Sequence, residues 1–576
     1  MADVKHRWPL LAGQQSFDSC GLHLQWWHGT PAFYPPQWNA RKDRVLLRHG
    51  ELFGDDDGDP LKRYDAQGAA FVERLNGRFA GVLIDLRDRT AMVFNDRYGL
   101  GPCVWHQDEQ GLYFASSARA LRARLKDPPP LDDTSLAETV SMGCVLEQRT
   151  LFRGIERLPP AALWMRQGWD GLRRGRYFSA SDWTHQPALP ESVFQRRMCK
   201  LLARRIPVYA QGDDPVGMSL TGGLDGRLVM AWSAAPPNTL PCYSFSGPLR
   251  ECHDASLARR VAQACGQPHQ TLTLDSAWMS NFPRWVDQAV VASDGLMDAS
   301  GAVEIYINQL ARAVAPVRLT GNWGSEILRG HVAFRPRALN LQALQPEIAR
   351  GVKDAQKRYQ EARQGDPLGF ISFKQVPWHH SVRLSLEESQ LKLRSPFLDN
   401  EIVALMHRAP DGVRQQATQA SLRWVRQAMP VLADIPTDRG LRWGGSTLMQ
   451  SLRQWQQTFW IKAEYAMDYG MPSSWAPRLR ALGSFHPERW TLGRHKFYHF
   501  RSWYQGPLAT VLKEVLLDPT ALSRSVFQRQ ALEKMVMEHT AGRANHTLDL
   551  HRAWSLEAVH QHLLGRPSDH MTETLP

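Results

Sequence analysis

The sequence predicts an α/β protein in two tandem parts, an N-terminal α+β layered domain followed by a parallel-sheet domain whose C-terminal part is helical. Three observations predict this. From about Ser16 to Gly168, short alternating runs are broken by turns, as in Arg44-Val45-Leu46-Leu47-Arg48, Gly81-Val82-Leu83-Ile84-Asp85 and Ala91-Met92-Val93-Phe94, with one helix-period segment from Gln67 to Leu75. From Pro215, strands and helices alternate: a buried run at Pro215 to Leu220, a second at Pro241 to Ser246, a helix at Asp254 to Gly266 with the stripe Ala258-Val261-Ala262, and a third strand at Thr271 to Leu274. That order requires crossovers and hence parallel pairing. Beyond Gly330 the sequence reads as helical.

The stretch Ser219-Leu220-Thr221-Gly222-Gly223-Leu224-Asp225-Gly226-Arg227 reads as strand, tight turn and helix start. Two adjacent glycines let backbone approach an anion, and the unpaired amides opening the helix point at it. Asp225 is itself negative, so a divalent cation is the natural bridge between it and a phosphate. The turn therefore predicts a nucleotide with Mg²⁺. Phe245 and Ser246 end the second strand, where a parallel sheet places its ligand.

Composition narrows the class. The 576 residues are 43% hydrophobic and 22% charged, an ordinary globular balance. No apolar run approaches the roughly 20 residues that span a bilayer, and the N-terminus lacks a secretory pattern, so a cytoplasmic enzyme with no membrane partner is expected. The seven cysteines (20, 103, 144, 199, 242, 252 and 265) are dispersed without a CxxC pair, which argues against a disulfide framework and a zinc site. The net charge of +12 is spread as arginine along the chain, which fits anionic substrates rather than nucleic acid. Asp55-Asp56-Asp57-Gly58-Asp59 lacks the later glutamate of a calcium loop and reads as a turn.

The turn resembles the pyrophosphate loop Ser-Gly-Gly-x-Asp-Ser of enzymes that split ATP between its α and β phosphates, with Thr221 and Gly226 off pattern. Leu75-Asn76-Gly77-Arg78-Phe79, Asn95-Asp96-Arg97-Tyr98-Gly99 and Phe152-Arg153-Gly154-Ile155-Glu156-Arg157-Leu158-Pro159 resemble the class II glutamine amidotransferase domain of the asparagine synthetase family. Gly321-Asn322-Trp323-Gly324-Ser325-Glu326-Ile327-Leu328-Arg329-Gly330 resembles that family's Gly-x-Gly-Gly-Asp-Glu-Leu-Phe-Gly-Gly, whose aspartate binds magnesium. Arg394-Ser395-Pro396-Phe397-Leu398-Asp399 resembles its acceptor-side segment, with an N-cap the alternative role for Asp399. The resemblance implies a degenerate amidotransferase-like domain over residues 1–170, an ATP-pyrophosphatase domain over 171–567 and a disordered tail over 568–576.

The departures matter as much. Residue 2 is alanine where the family exposes a nucleophilic cysteine; Cys20-Gly21 mimics the expected dipeptide but reads as a strand thiol, and Gly50-Glu51-Leu52-Phe53-Gly54 is a decayed glutamine-binding run. The glutaminase is expected to be dead. Ser325 falls on the metal aspartate and Asn322 on a catalytic position, so Glu326, one residue on, is expected to join Asp225 as metal ligand. The family's pyrophosphate lysine is missing from Ile435 to Arg442; Arg439, or Lys496 of Gly493-Arg494-His495-Lys496-Phe497-Tyr498, can supply the charge.

By resemblance, then, Ser219, Thr221, Gly222, Gly223, Leu224, Asp225, Gly226, Arg227, Phe245, Ser246 and Gly321 bind ATP, and Asn322, Glu326, Arg439 and Lys496 act in catalysis. The expected activity is AMP-forming amide ligation of a small-molecule or peptide carboxylate. Loss of the glutaminase is shared with β-lactam and lasso-peptide macrolactam synthetases, which implies intramolecular closure, with a precursor peptide and a protease as partners. Ammonia-dependent amidation of aspartate or a sugar carboxylate is the runner-up, and a nucleotide-binding scaffold without activity the third reading.

Overall fold

A computed structural model describes residues 11–19, 22–29, 34–54, 59–168, 171–337, 339–444, 447–472, 474–476, 478, 488–521 and 523–564. Cys20, the Asp55 to Gly58 run and the tail after residue 567 lie outside them.

The N-terminal part is built on antiparallel sheets. Strands β1 (Leu11–Ser19) and β2 (Leu22–Gly29) form a hairpin. Strands β3 (Gln37–Trp38), β4 (Arg44–Leu52), β5 (Gly77–Asp85) and β6 (Thr90–Asn95) follow. A three-stranded sheet combines β7 (Val104–Gln107), β8 (Leu112–Ala115) and β9 (Glu156–Arg157). With β10 (Ala162–Gln167) and β11 (Arg173–Arg176), the main sheet runs β11-β10-β6-β5-β4-β3. It therefore passes the expected boundary at 170 and ends at Arg176. Inward residues Leu46, Leu83, Met92 and Phe94 meet Phe71, Val72 and Phe79 in one apolar core. Asp59 caps the helix Pro60–Gln67 by accepting from the Leu61 amide.

The second part carries five parallel strands: β12 (Val216–Ser219), β13 (Cys242–Ser246), β14 (His269–Thr273), β15 (Val317–Thr320) and β16 (Lys392–Arg394). Their order is β14-β13-β12-β15-β16. The chain leaves β12 toward one edge and returns to its other side as β15, so the order reverses between these two strands. The crevice beyond their carboxyl ends is where a parallel sheet binds ligands. Both strands are buried along their whole length, with Val216 level with Val317 and Ser219 with Thr320. Phe194, Met198, Leu202 and Ile206 of the helix Glu191–Tyr209 pack with Met218, Val317 and Leu319. An aromatic cluster around Trp278, Phe282, Phe500 and Trp554 fills the helical C-terminal part.

The two parts are joined by a polar seam. Asp399 caps the next helix through the Glu401 amide at 3.0 Å, and its other oxygen accepts from Arg205 Nε at 2.7 Å, Asn76 Nδ2 at 2.7 Å and the Tyr209 hydroxyl at 3.1 Å. Arg394 donates to both carboxylate oxygens of Glu51 at 2.9 and 2.7 Å. Arg78 pairs with Glu388 across the same boundary.

Candidate active site

The loops that follow β12 and β15 are pressed together at the reversal point. A Cβ added at Gly321 would lie 2.4 Å from the Gly226 nitrogen, and one at Gly324 would lie 2.5 Å from Asp225 Cγ. Glycine is needed here for close approach. On the other flank, a Cβ at Gly222 would sit 2.7 Å from Leu257 Cδ1 and 2.9 Å from Asp254 Oδ1. Neither Gly222 nor Gly223 takes positive φ, and Gly223 caps the helix Leu224–Trp232 at φ −69°. Space is thus tight at Gly222, whereas at Gly223 an added Cβ would meet only Thr221 Oγ1, at 3.2 Å. At Gly226 an added Cβ would meet nothing closer than 3.6 Å, so the serine of the resembled pattern would fit.

Asp225 faces this crevice, and both its oxygens accept from Arg329, Nη1 to Oδ1 at 2.6 Å and Nη2 to Oδ2 at 2.7 Å. Burial raises its pKa; Arg329 opposes the rise, while the charges of Glu326 and Asp438 add to it. Glu326 is therefore close enough to Asp225 to act on it electrostatically. Its own carboxylate accepts from Ser325 Oγ at 2.7 Å and stands 3.9 Å from His380 Nε2. Burial pushes the pKa of that imidazole down to about 4, so it is neutral at pH 7.

Thr221 is exposed, and its hydroxyl accepts from the Gly223 amide at 3.2 Å. Ser219 is buried and accepts from Arg318 Nη2 at 3.2 Å, and Leu224 is buried in the core beside it. Arg227 is fully buried. Its guanidinium donates to the carbonyls of Leu432, Ile435, Pro436 and Gly222, and burial lowers its pKa to about 10. It ties the segment 432–436 to the loop. Asp438 then donates its amide to the Gly222 carbonyl at 3.0 Å, which brings Arg439 to the rim; Arg439 is 57% exposed and 3.7 Å from Asp438.

Phe245 is half-buried under the Arg318 guanidinium and beside the ring of Phe497, at 5.5 and 5.9 Å. Ser246 uses its hydroxyl to donate to the Arg250 carbonyl at 3.1 Å, which shapes the loop after β13. Glu464 of the helix Thr447–Met467 gathers the amides of Gly493, His495 and Lys496 and so fixes that basic stretch to this helix. Lys496 Nζ lies 5.0, 5.5 and 5.7 Å from the rings of Tyr469, Tyr465 and Tyr498, a cation-π setting. Asn322 Oδ1 accepts from Thr320 Oγ1 at 3.0 Å, and its carbonyl accepts from Ser395 Oγ at 2.6 Å.

Sequence reasoning did not find three of these groups. Arg329 was visible only as a departure from the resembled pattern, which has glycine there. Asp438 and Asp254 carry no motif. Burial, with help from Asp438, pushes Asp254 up to about 7, while the Gly222 amide draws it down. As a test of a divalent ion, the donor set is poor: Arg329 occupies both Asp225 oxygens, and no cluster of three or more acidic, histidine or cysteine ligands exists among the described residues. The group does not fit here as the side chains stand.

An open parallel sheet with interlocked glycine loops at its reversal point defines an α/β protein with a ligand crevice at that point. A glutamine amidotransferase domain model matches residues 55–178 and an asparagine synthase model matches residues 200–379. The chain is similar to the glutamine-hydrolyzing asparagine synthetase 3 of Bacillus subtilis, 24% identical over 282 residues, which cover 46% of this chain and 45% of that one. It is 25% identical to asparagine synthetase B of Escherichia coli, over 55% of this chain and 57% of the other, and 22% identical to the amidase chyE of Penicillium rubens, over 48% and 43%. The matched region thus spans about half the length of these curated relatives. In both matched regions the chain is similar to the asparagine synthetase family. Among the described residues no helix is long and apolar enough to cross a membrane.

Proposed function

We propose that this protein is an ATP-dependent, AMP-forming carbon–nitrogen ligase that activates a carboxylate and closes it onto an amine of the same substrate, as a macrolactam synthetase does. The carrying observation is the pair of interlocked loops at the sheet's reversal point, with Gly321 and Gly324 against Gly226 and Asp225. A substrate carboxylate oxygen attacks the α phosphorus, and the bond to the bridging oxygen breaks, so that pyrophosphate departs with the electron pair. The amine then attacks the acyl carbon, and AMP leaves as the amine loses its proton. Amides at the start of the helix Leu224–Trp232 hold phosphate oxygens, while Arg439 and Lys496 offset developing charge.

The intramolecular amine is supported by Glu51. In the decayed glutamine-binding run its carboxylate is committed to Arg394 and so is not offered to a glutamine ammonium. A precursor peptide, matured by a protease, is the substrate class that supplies both ends.

ATP–pyrophosphate exchange across a panel of carboxylates tests the reading. Exchange with a peptide that carries its own amine, abolished by Asp225→Ala, is the expected result. Exchange with free aspartate or a sugar acid, completed by ammonia, would replace cyclisation by amidation. Binding of ATP with exchange on no carboxylate would reduce the protein to a nucleotide-bound scaffold.

A further inference from the structure

Two of the chain's departures in the second loop change its charge in the same direction. The resembled pattern has a metal-binding aspartate where Ser325 stands, and a glycine where Arg329 stands. One substitution removes a negative charge and the other adds a positive one. The geometry links them, because Arg329 meets Asp225 of the opposite loop end-on through Nη1 and Nη2.

The pair is not sealed into the core. Asp225 and Arg329 side chains are each 19% exposed, whereas Arg227, one turn from the same loop, is fully buried and spent on carbonyls. A guanidinium carries five N–H bonds in a planar fork. Asp225 takes two of them, and among the described residues no other hydrogen bond is made by Arg329. The edge formed by Nε and the outer N–H bonds stays open, which is the side-on geometry that grips phosphate oxygens.

We propose that Arg329 is a pyrophosphate-binding residue that takes over at Asp225 the charge a divalent ion would bring, so that this loop pair binds pyrophosphate without metal. Asp225 becomes the positioning group, fixing the plane of the fork, and Ser325 needs no carboxylate because there is no ion to hold. The inference rests on the nucleotide reading of the site.

Calorimetric titration of the full chain with inorganic pyrophosphate, in EDTA and in Mg²⁺, tests it. The wild type is expected to bind in EDTA within about tenfold of its affinity in Mg²⁺. Arg329→Gly is expected to lose about 10- to 100-fold in EDTA, the worth of one charge-assisted fork. Arg329→Lys, which keeps Asp225's counter-charge and so protects the fold, is expected to fall between them. Ser325→Asp with Arg329→Gly, which restores the resembled pattern, is expected to bind only with Mg²⁺. Wild-type binding confined to Mg²⁺, or Arg329→Gly binding in EDTA as the wild type does, would overturn the proposal. No binding by the wild type in either buffer would instead refute the nucleotide reading.

Discussion

Gly321 and Gly226 lie back to back across the two loops, and adding one methyl to each should have opposite effects. At Gly321 the new Cβ would stand 2.4 Å from the Gly226 nitrogen, 2.7 Å from the Asp225 carbonyl carbon and 2.9 Å from Gly226 Cα, all of them backbone. Gly321 does not adopt positive φ, so the penalty is purely steric. Relieving it means parting the loops by about 1 Å, and overpacking of this kind costs about 1–3 kcal/mol. For a unit of this size that is a fall in Tm of about 2–12 °C. Displacement of about 1 Å in a reacting geometry costs on the order of 100-fold in rate, so Gly321→Ala should lose exchange more severely than stability. At Gly226, inside the helix Leu224–Trp232, the Cβ meets side chains of Leu220 and Met218 at 3.6 Å, and alanine should stabilise by up to about 1 kcal/mol. Thermal unfolding and ATP–pyrophosphate exchange of the two variants side by side decide the matter. If Gly321→Ala matches Gly226→Ala in both, the loops are not interlocked as described.

Three further outcomes follow from buried charge. Arg227→Met should strand four carbonyls and lower the unfolding free energy by more than about 3 kcal/mol, read as a shift in the urea midpoint. Asp399→Asn removes the buried charge that Arg205 Nε meets at 2.7 Å and should cost about 3–5 kcal/mol at the seam, seen as a separate early calorimetric transition of the N-terminal part. Asp254, raised from 3.8 to about 7, holds a proton in the folded state that the unfolded chain has released. Stability from this group is therefore full below about pH 4, falls as pH rises toward 7 and is flat above; Asp254→Asn should erase a slope worth on the order of a few kcal/mol over that window.

Local pattern was legible and distant pairing was not. The strand Pro215 to Leu220, the glycines after it and the helix start at Leu224 are set by residues adjacent in sequence, so β12 and the turn that carries Asp225 were legible; the structure then brings Glu326, after β15, to the same crevice. Which side of a helix a motif residue faces depends on what packs beneath it. Arg227 sits within the pyrophosphate motif, yet its partners at 432–436 become visible only once the chain has folded. The same applies to Asp399, whose capping role is local but whose bonds to Asn76 and Arg205 cross most of the chain. The glycine pair was read as letting backbone approach an anion, and the structure adds at Gly222 a close approach to the side chains of Leu257 and Asp254.

The N-terminal part, if it hydrolyses no glutamine, still has mechanical work. Glu51 grips Arg394, the next residue Ser395 donates to the carbonyl of Asn322, and two residues on Gly324 rests against Asp225. Between them Trp323 holds φ +67°, a left-handed conformation that costs a non-glycine residue about 1 kcal/mol. Trp323 is buried in an apolar cluster that also holds Tyr98 of the N-terminal part and Tyr209 and Leu398 of the second, with Phe53 packed against it, a burial worth about 2 kcal/mol or more. The backbone strain is therefore sustained by packing that only both parts together provide. The N-terminal part thus braces the loop that sets the distance between Asp225 and its partner Arg329.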